Sequence, residues 1–314
     1  MKYDYVIFTD AGACLTRDVR EKYGIEEQPK STIVWPNGEE KVNDIEWENI
    51  TPKQFFTLMT NKRNNFASSI PAPQTVVDRL MAYGEQGLNV IVFTISSTMS
   101  GGFSEYTVAA QEVKEKYPNI KIEVIDTLRY GPAEDLAAIE ASRCREKGMS
   151  FEETVAYMRE AVLRIHQCGV LDDLFFLARK GRLSKGVAFM GNMVGIKPMA
   201  DLCNETGLSE VIGKARGYKK LLKILPKFID RTIGSYKDKV FVIENSLRED
   251  LAEKFKEIVV ERYNPEHLVM GSISQSTGVN VGPGLCAVYY IADAPVSPHC
   301  EKEKAILDEL LKQK

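Results

Sequence analysis

Short apolar runs alternate with longer stretches of helical spacing through the first half of the chain. The runs at 5–8, 89–95 and 122–125 predict strands, and the run at 89–95 is apolar on both faces, as in a central parallel strand. Between them, helices are predicted at 52–63, 73–86, 102–117 and 134–147, and an extended polar excursion at 24–48. This alternation predicts a doubly wound, mostly parallel α/β sheet that binds ligands at the carboxyl ends of its strands.

A second α/β domain is predicted after a capping box formed by Ser150 and Glu153. We therefore divide the chain into an N-terminal domain at 1–148 and a C-terminal domain at 149–314. The C-terminal domain is expected to carry a mixed sheet, with a hairpin turn at 204–207. Its predicted helices are 151–167, 217–234, 249–263 and 301–313, and its predicted strands are 174–178, 196–202, 208–214, 239–244, 268–274 and 285–291.

Composition narrows the class of protein. The 314 residues are 44% hydrophobic and 27% charged, which excludes a disordered chain. The net charge of −3 disfavours a nucleic-acid partner, because such proteins need a basic face. The six cysteines form no C-x-x-C pair, so we expect no metal site, no cofactor and no disulfide scaffold. No signal-peptide core and no apolar run long enough for a membrane span is present, so we expect a cytoplasmic protein without stable membrane insertion.

Four loops carry candidate chemistry. The loop at 96–102 follows the clearest strand and places hydroxyls and two glycines at the start of a helix, as in an anion site. The alternative is an ordinary helix cap with turn glycines. The second loop, at 66–71, has a pair of hydroxyl residues before a proline. The third is a basic loop at 179–184, followed by Gly191, Gly195 and the segment 196–198. The fourth is a glycine-rich turn at 278–284 that precedes a strand.

Signatures of the common enzyme classes are missing. The sequence contains no phosphate-binding P-loop, no dinucleotide fingerprint, no H-E-x-x-H zinc motif and no G-x-S-x-G nucleophile elbow. The three histidines, His166, His267 and His299, lie outside all four loops. A serine nucleophile needs a nearby base, so we expect no catalytic residue and no enzyme activity.

Taken together, these segments resemble the DegV family of bacterial fatty-acid-binding proteins along nearly the whole chain. Each segment is a weak match, but their order is specific. The matching segments are Thr9-Asp10, Ser68-Ser69-Ile70-Pro71, Ile95 to Phe103, Ile125-Asp126-Thr127, Gly181 to Ser184, Ile196-Lys197-Pro198, Lys214-Ala215-Arg216 and Gly282-Pro283-Gly284.

The resemblance implies a lipid carrier. A long-chain fatty acid would lie in an apolar tunnel between two α/β domains, and a separate kinase subunit would phosphorylate its carboxylate in some members. By position, Ser97 is the first choice for the carboxylate ligand and Ser68 the second, joined by Ser96 and by Asn280. Asn280 stands where some members carry a histidine, and its amide can donate a hydrogen bond but cannot become cationic. Contacts at the rim or with the partner are implied for Arg182, Lys214 and Arg216.

Two other functions stay open at this point. One is an enzyme that uses the Ser97 loop as an anion cradle for a phosphorylated or acyl substrate, with Arg182 or Lys197 as electrophile. The other is an interaction module whose cleft is filled by side chains. A long dry tunnel would favour the carrier, whereas a polar pocket of phosphate size would favour the enzyme.

Overall fold

The computed structural model describes residues 3–184 and 195–313, so the candidate Gly191 lies outside the described residues. Its strands are β1 Tyr5–Thr9, β2 Thr32–Val34, β3 Glu40–Val42, β4 Ala67–Ser68, β5 Asn89–Thr94, β6 Ile122–Asp126, β7 Ile165–Leu171, β8 Ile196–Leu202, β9 Ser209–Arg216, β10 Val240–Asn245, β11 His267–Ser272 and β12 Leu285–Ile291. Its helices are α1 Arg17–Tyr23, α2 Pro52–Thr60, α3 Pro73–Glu85, α4 Gly102–Lys116, α5 Pro132–Glu146, α6 Phe151–Ala161, α7 Phe175–Arg179, α8 Gly217–Thr232, α9 Glu249–Tyr263, α10 Gln275–Val281 and α11 Glu301–Lys312, with 3₁₀ turns at Val162–Arg164 and Pro298–Cys300.

A three-stranded parallel sheet in the order β1-β5-β6 forms the centre of the N-terminal half. Alternate side chains of β1 pack into two different hydrophobic cores, one on each face of the sheet. Val6 and Phe8 pack with α3 and α4, whereas Tyr5 and Ile7 join the core that includes α5. Helices therefore cover both faces, which explains why these strands are apolar throughout. The expected α/β architecture is confirmed.

The C-terminal half contains a six-stranded mixed sheet in the order β11-β10-β12-β7-β8-β9. Only β10 and β11 pair in parallel among its described strands, and the other neighbours are antiparallel. Helix α5 contacts both β1 of the first sheet and β10 and β12 of this one, and nearly all of its residues are buried. Because α5 packs against both sheets, the division of the chain at 148/149 stays a prediction.

Two elements of the C-terminal half differ from their predictions. The predicted helix at 151–167 ends at Ala161, and β7 begins at Ile165. The buried polar residues His166 and Gln167 concealed this strand. Nδ1 of His166 lies 2.7 Å from a carboxylate oxygen of Asp201, which lies far along the chain, and the side-chain carbonyl of Gln167 accepts a hydrogen bond from the hydroxyl of Tyr130. The predicted strand at 174–178 is wrong, since this apolar run forms the short helix α7.

Two segments that were predicted as loops or turns contain regular secondary structure. The excursion at 24–48 contains β2 and β3, which pair with β4 in a small antiparallel sheet. Part of the predicted turn at 278–284 belongs to α10. By contrast, the hairpin turn at 204–207 is confirmed, with Gly207 at a φ of 62°. The capping box is also confirmed, because Ser150 and Glu153 bond each other's backbone N–H.

All six cysteines are buried and unpaired. Within the described residues, no helix is both long enough and apolar enough to cross a bilayer.

Candidate functional site

A cavity of about 220 Å³ lies where the ends of β1 and β5 meet α10 and the small sheet. Its polar wall comes from chain segments that are far apart in sequence. Apolar side chains form the remaining wall. The polar residues of the wall include Asp10, Ser68, Ser100, Tyr106, Arg182 and Asn280. The apolar residues include Ile70, Ile95, Met99, Leu177 and Val281.

Asp10, at the end of β1, holds the loops that frame the cavity. Its carboxylate accepts hydrogen bonds from the N–H of Gly12 at 2.6 Å and from the N–H of Ile95 at 3.1 Å. A Cβ at Gly102 would lie 2.8 Å from Oδ2 of Asp10, so only glycine lets the first turn of α4 approach this carboxylate so closely. Asp10 therefore fixes the two strand ends relative to the start of α4.

Helix α10 is bonded to the loop after β1 by two side-chain hydroxyls. Ser276 Oγ donates to the carbonyl of Ala11 at 2.7 Å, and Thr277 Oγ1 donates to the carbonyl of Gly12 at 2.6 Å. Asn280, one turn further along α10, lines the cavity. These bonds bring a C-terminal helix to the carboxyl edge of the N-terminal sheet.

Ser68 and Asn280 both line the cavity. The family resemblance implied that these two residues contact the same ligand carboxylate. Asn280 Nδ2 lies 3.5 Å from Ser68 Oγ and also donates to the carbonyl of Ser276 at 2.9 Å. Ser100 lies in the wall as well, where its Oγ accepts from the N–H of Gly102 at 3.3 Å. Since Ser68 and Ser100 each act as acceptors in these bonds, their hydroxyl hydrogens can point to a ligand.

Ser97 and Ser96 are not among the described residues that line the cavity. The side chain of Ser97 is exposed, and its N–H donates to the carboxylate of Asp126. Ser96 is fully buried, and its Oγ lies 2.9 Å from Oγ1 of Thr98, which donates to the carbonyl of Thr206. The residue of this loop that lines the cavity is instead Ser100. In the sequence, Ser100 differs from the other serines of the loop in being followed by a Gly-Gly pair.

Arg182 is the cationic side chain among the described residues of the cavity wall. Its Nη2 donates to the carbonyl of Met99 at 2.7 Å, and its Nη1 donates to the carbonyl of Lys180. These bonds hold the guanidinium beside the loop that carries Ser100.

The other predicted basic contacts lie elsewhere. Lys214 and Arg216 are exposed on β9, and neither lines the cavity. Lys197, the alternative electrophile, forms a salt bridge of 2.6 Å with Asp172 and is also absent from the described lining. None of the three histidines is among the described lining residues.

Burial changes the titration of the acids at this site. Loss of solvent raises the pKa of Asp10 from 3.8 to about 6, although hydrogen bonds from Gly12 and Ile95 oppose the rise. Glu134 accepts a hydrogen bond from the N–H of Asp10, and burial followed by the charge of Asp10 raises its pKa well above the usual range. Burial therefore favours the protonated form of Glu134, and the pKa of Asp10 lies at about 6.

Tight packing closes the cavity beneath α10. A Cβ at Gly278 would lie 2.7 Å from Cε1 of Phe56, and one at Gly282 would lie 2.2 Å from Cδ2 of Phe176. Phe56 and Phe176 are both essentially inaccessible to solvent. Helix α10 therefore packs directly against these two rings, with no room for a larger side chain at either glycine.

A family model matches residues 4–293, and the family is described as DegV, uncharacterised proteins. A curated DegV domain-containing protein of Clostridium perfringens is 27% identical over 290 residues, which cover 92% of this chain and 98% of that protein.

Solved structures share the fold. A DegV family protein from Thermus thermophilus, described as binding fatty acid, has a TM-score of 0.79 and 24% identity, covering 92% of this chain and 99% of that one. A stearic-acid-binding protein from Eubacterium ventriosum has a TM-score of 0.78 and 22% identity, covering 92% and 98%.

Proposed function

Because this chain belongs to the DegV family, we propose that it binds a fatty acid with the carboxylate in the cavity beside α10. The observation that carries the proposal is the convergence of Ser68, Ser100 and Asn280 from three separate segments on one cavity whose remaining wall is apolar. Relatives of the same fold are described as binding fatty acids, which supports this ligand class.

We assign the carboxylate contacts to the hydroxyls of Ser68 and Ser100 and to the amide of Asn280. Hydrogen bonds to a charged group contribute about 1.5–3 kcal/mol each. Tyr106 adds a fourth donor, because its hydroxyl lies in the wall, is buried, and has no hydrogen-bond partner among the described residues. The guanidinium of Arg182 supplies positive charge, whereas an ionised Asp10 would repel the ligand.

The alkyl chain supplies most of the binding free energy. Each buried methylene contributes about 0.8 kcal/mol before the costs of association. The cavity of about 220 Å³ is smaller than the roughly 300–1,000 Å³ of typical small-molecule sites, so a long chain requires its wall to open. Met99 is the side chain best suited to move, because its unbranched thioether chain adopts many rotamers.

The head-group assignment is tested by three matched variants, Ser68→Ala, Ser100→Ala and Ser97→Ala. Titration with oleate, followed by displacement of a fluorescent fatty acid, should show about ten- to 150-fold weaker binding for the first two. Ser97→Ala removes the same hydroxyl from the same loop outside the cavity, so its affinity should match the parent protein. Weaker binding by Ser97→Ala than by Ser100→Ala would overturn the assignment but leave fatty-acid binding intact.

The function itself is tested on the purified protein. Denaturing mass spectrometry should recover a long-chain acid, and delipidated protein should bind added oleate or palmitate at about one equivalent. If no acid is recovered and neither added acid binds, the protein is not a fatty-acid carrier.

The proposal includes presentation of the bound acid to a separate kinase subunit, which would form the acyl phosphate. It is supported by the family resemblance and by the exposed position of Arg216 on β9. Arg216→Glu should leave oleate affinity unchanged and slow formation of acyl phosphate by an added fatty acid kinase subunit with Mg-ATP. Equal rates for the variant and the parent would exclude this surface from the transfer.

A further inference from the structure

Three side chains that are far apart in sequence meet at one end of the C-terminal sheet. Cys203 follows β8, Glu205 lies in the turn between β8 and β9, and His299 lies in the 3₁₀ turn before α11. Their potential ligand atoms all lie within 4.8 Å of one another. From this arrangement we propose that Cys203, Glu205 and His299 form a binding site for a divalent zinc ion.

The donor set suits zinc. Thiolate, imidazole and carboxylate are its usual protein ligands, and bond lengths of about 2.0–2.3 Å place ligand atoms at the spacing seen here after small rotations. A thiolate and a carboxylate together neutralise the two charges of the ion. The soft thiolate selects against calcium and magnesium, which prefer oxygen ligands.

Hydrogen bonds already assemble the site. Glu205 Oε2 accepts from the N–H of His299 at 2.9 Å and lies 3.2 Å from Cys203 Sγ. The carboxylate of Glu205 therefore faces the thiol that a metal would deprotonate.

Solvent reaches the site from one side. Cys203 is buried, whereas Glu205 and His299 are exposed. Three protein ligands with one open side leave a fourth position for water, and they provide a route of entry for a hydrated ion. A second group of possible ligands, Cys14, Asp135 and Glu244, lacks such a route because all three residues are buried.

The experiment uses the full chain, reduced and stripped of metal with a chelator. Titration with zinc against a chromophoric indicator should show one tight equivalent, and cobalt should give a thiolate-to-metal charge-transfer band. His299→Asn should weaken zinc binding by more than the roughly 10–100-fold that loss of an outer-shell partner causes. Asparagine is chosen because it tolerates the left-handed φ of 50° at this position. Cys203→Ser should abolish the cobalt band.

Cys144→Ser is the matched control, because it removes another buried thiol that belongs to neither group of ligands. It should keep both the zinc equivalent and the band. The proposal is overturned if the parent protein binds no zinc or gives no band, or if His299→Asn binds zinc as tightly as the parent. It is also overturned if binding survives in His299→Asn and disappears in Glu244→Gln, because the ion would then lie in the buried group.

Discussion

Replacing Asp10 with asparagine should change how the stability of the protein depends on pH. Asp10 is 4% exposed, and burial raises the pKa of its carboxyl from 3.8 to about 6. Asparagine has nearly the same shape but does not titrate. It also provides one acceptor oxygen where the carboxylate provides two, so one of the bonds from Gly12 and Ile95 is lost at every pH.

The sign and size of the effect follow from proton linkage. Between pH 3.8 and pH 6, the folded state keeps the proton on Asp10 while the unfolded state releases it. The stabilisation from this proton is therefore fully present below pH 3.8 and is lost as the pH rises through 6. At 1.36 kcal/mol per pH unit, the difference between 3.8 and 6 amounts to about 3 kcal/mol.

Urea denaturation of the parent protein and of Asp10→Asn at several values between pH 7.5 and pH 4 measures this effect. The stability of the parent minus that of the variant should rise by about 2 kcal/mol on acidification to pH 4, and the full value of about 3 kcal/mol is reached only below pH 3.8. Taking the difference cancels the groups that titrate equally in both proteins. A difference that is flat, or that falls with acid, would refute a raised pKa at Asp10.

Three further changes test other parts of the structure. Ser150→Ala should cost about 1 kcal/mol in urea denaturation, because it removes the cap of α6, and a neutral effect would contradict the capping geometry. Gly278→Ala should cost about 1–3 kcal/mol through its contact with Phe56, whereas Gly101→Ala, with 3.7 Å to its nearest atom, should cost less. Zinc at about 100 times its Kd should stabilise the parent by roughly 2.7 kcal/mol in thermal unfolding, and an equal rise in His299→Asn would exclude the proposed ligand set.

The hydrophobic pattern predicted most of the fold because most strands of the two larger sheets are apolar and buried, as the local sequence records. The run at 89–95 is apolar on both faces, and β5 is covered on both faces by helices. The pattern failed at β7, where His166 and Gln167 are polar but buried. The ring of His166 pairs with Asp201 on β8 and the side chain of Gln167 accepts from Tyr130, and no local pattern reveals hydrogen-bonding partners that lie 35 and 37 residues away.

The candidate site was predicted in part, because residue type and loop position do not determine where a side chain points. Ser68, Asn280 and Arg182 all line the cavity. Ser97 lies in the predicted loop, but Asp126 takes its backbone N–H and its side chain is exposed. Ser100 reaches the cavity three residues later. The residues proposed to bind zinc could not be grouped from the sequence for a related reason, since they come together only in the folded chain.

Contacts between the two halves of the chain explain why the cavity cannot be assigned to either half alone. Thr277 on α10 donates to the carbonyl of Gly12, and Arg182 donates to the carbonyl of Met99. In both contacts a side chain from the C-terminal half bonds the backbone of an N-terminal loop. Both bonds use backbone carbonyls, but position 12 must remain glycine, because a Cβ there would lie 2.6 Å from Cγ2 of Ile95. At position 99, by contrast, another apolar side chain could change the wall of the cavity while the carbonyl still accepts from Arg182.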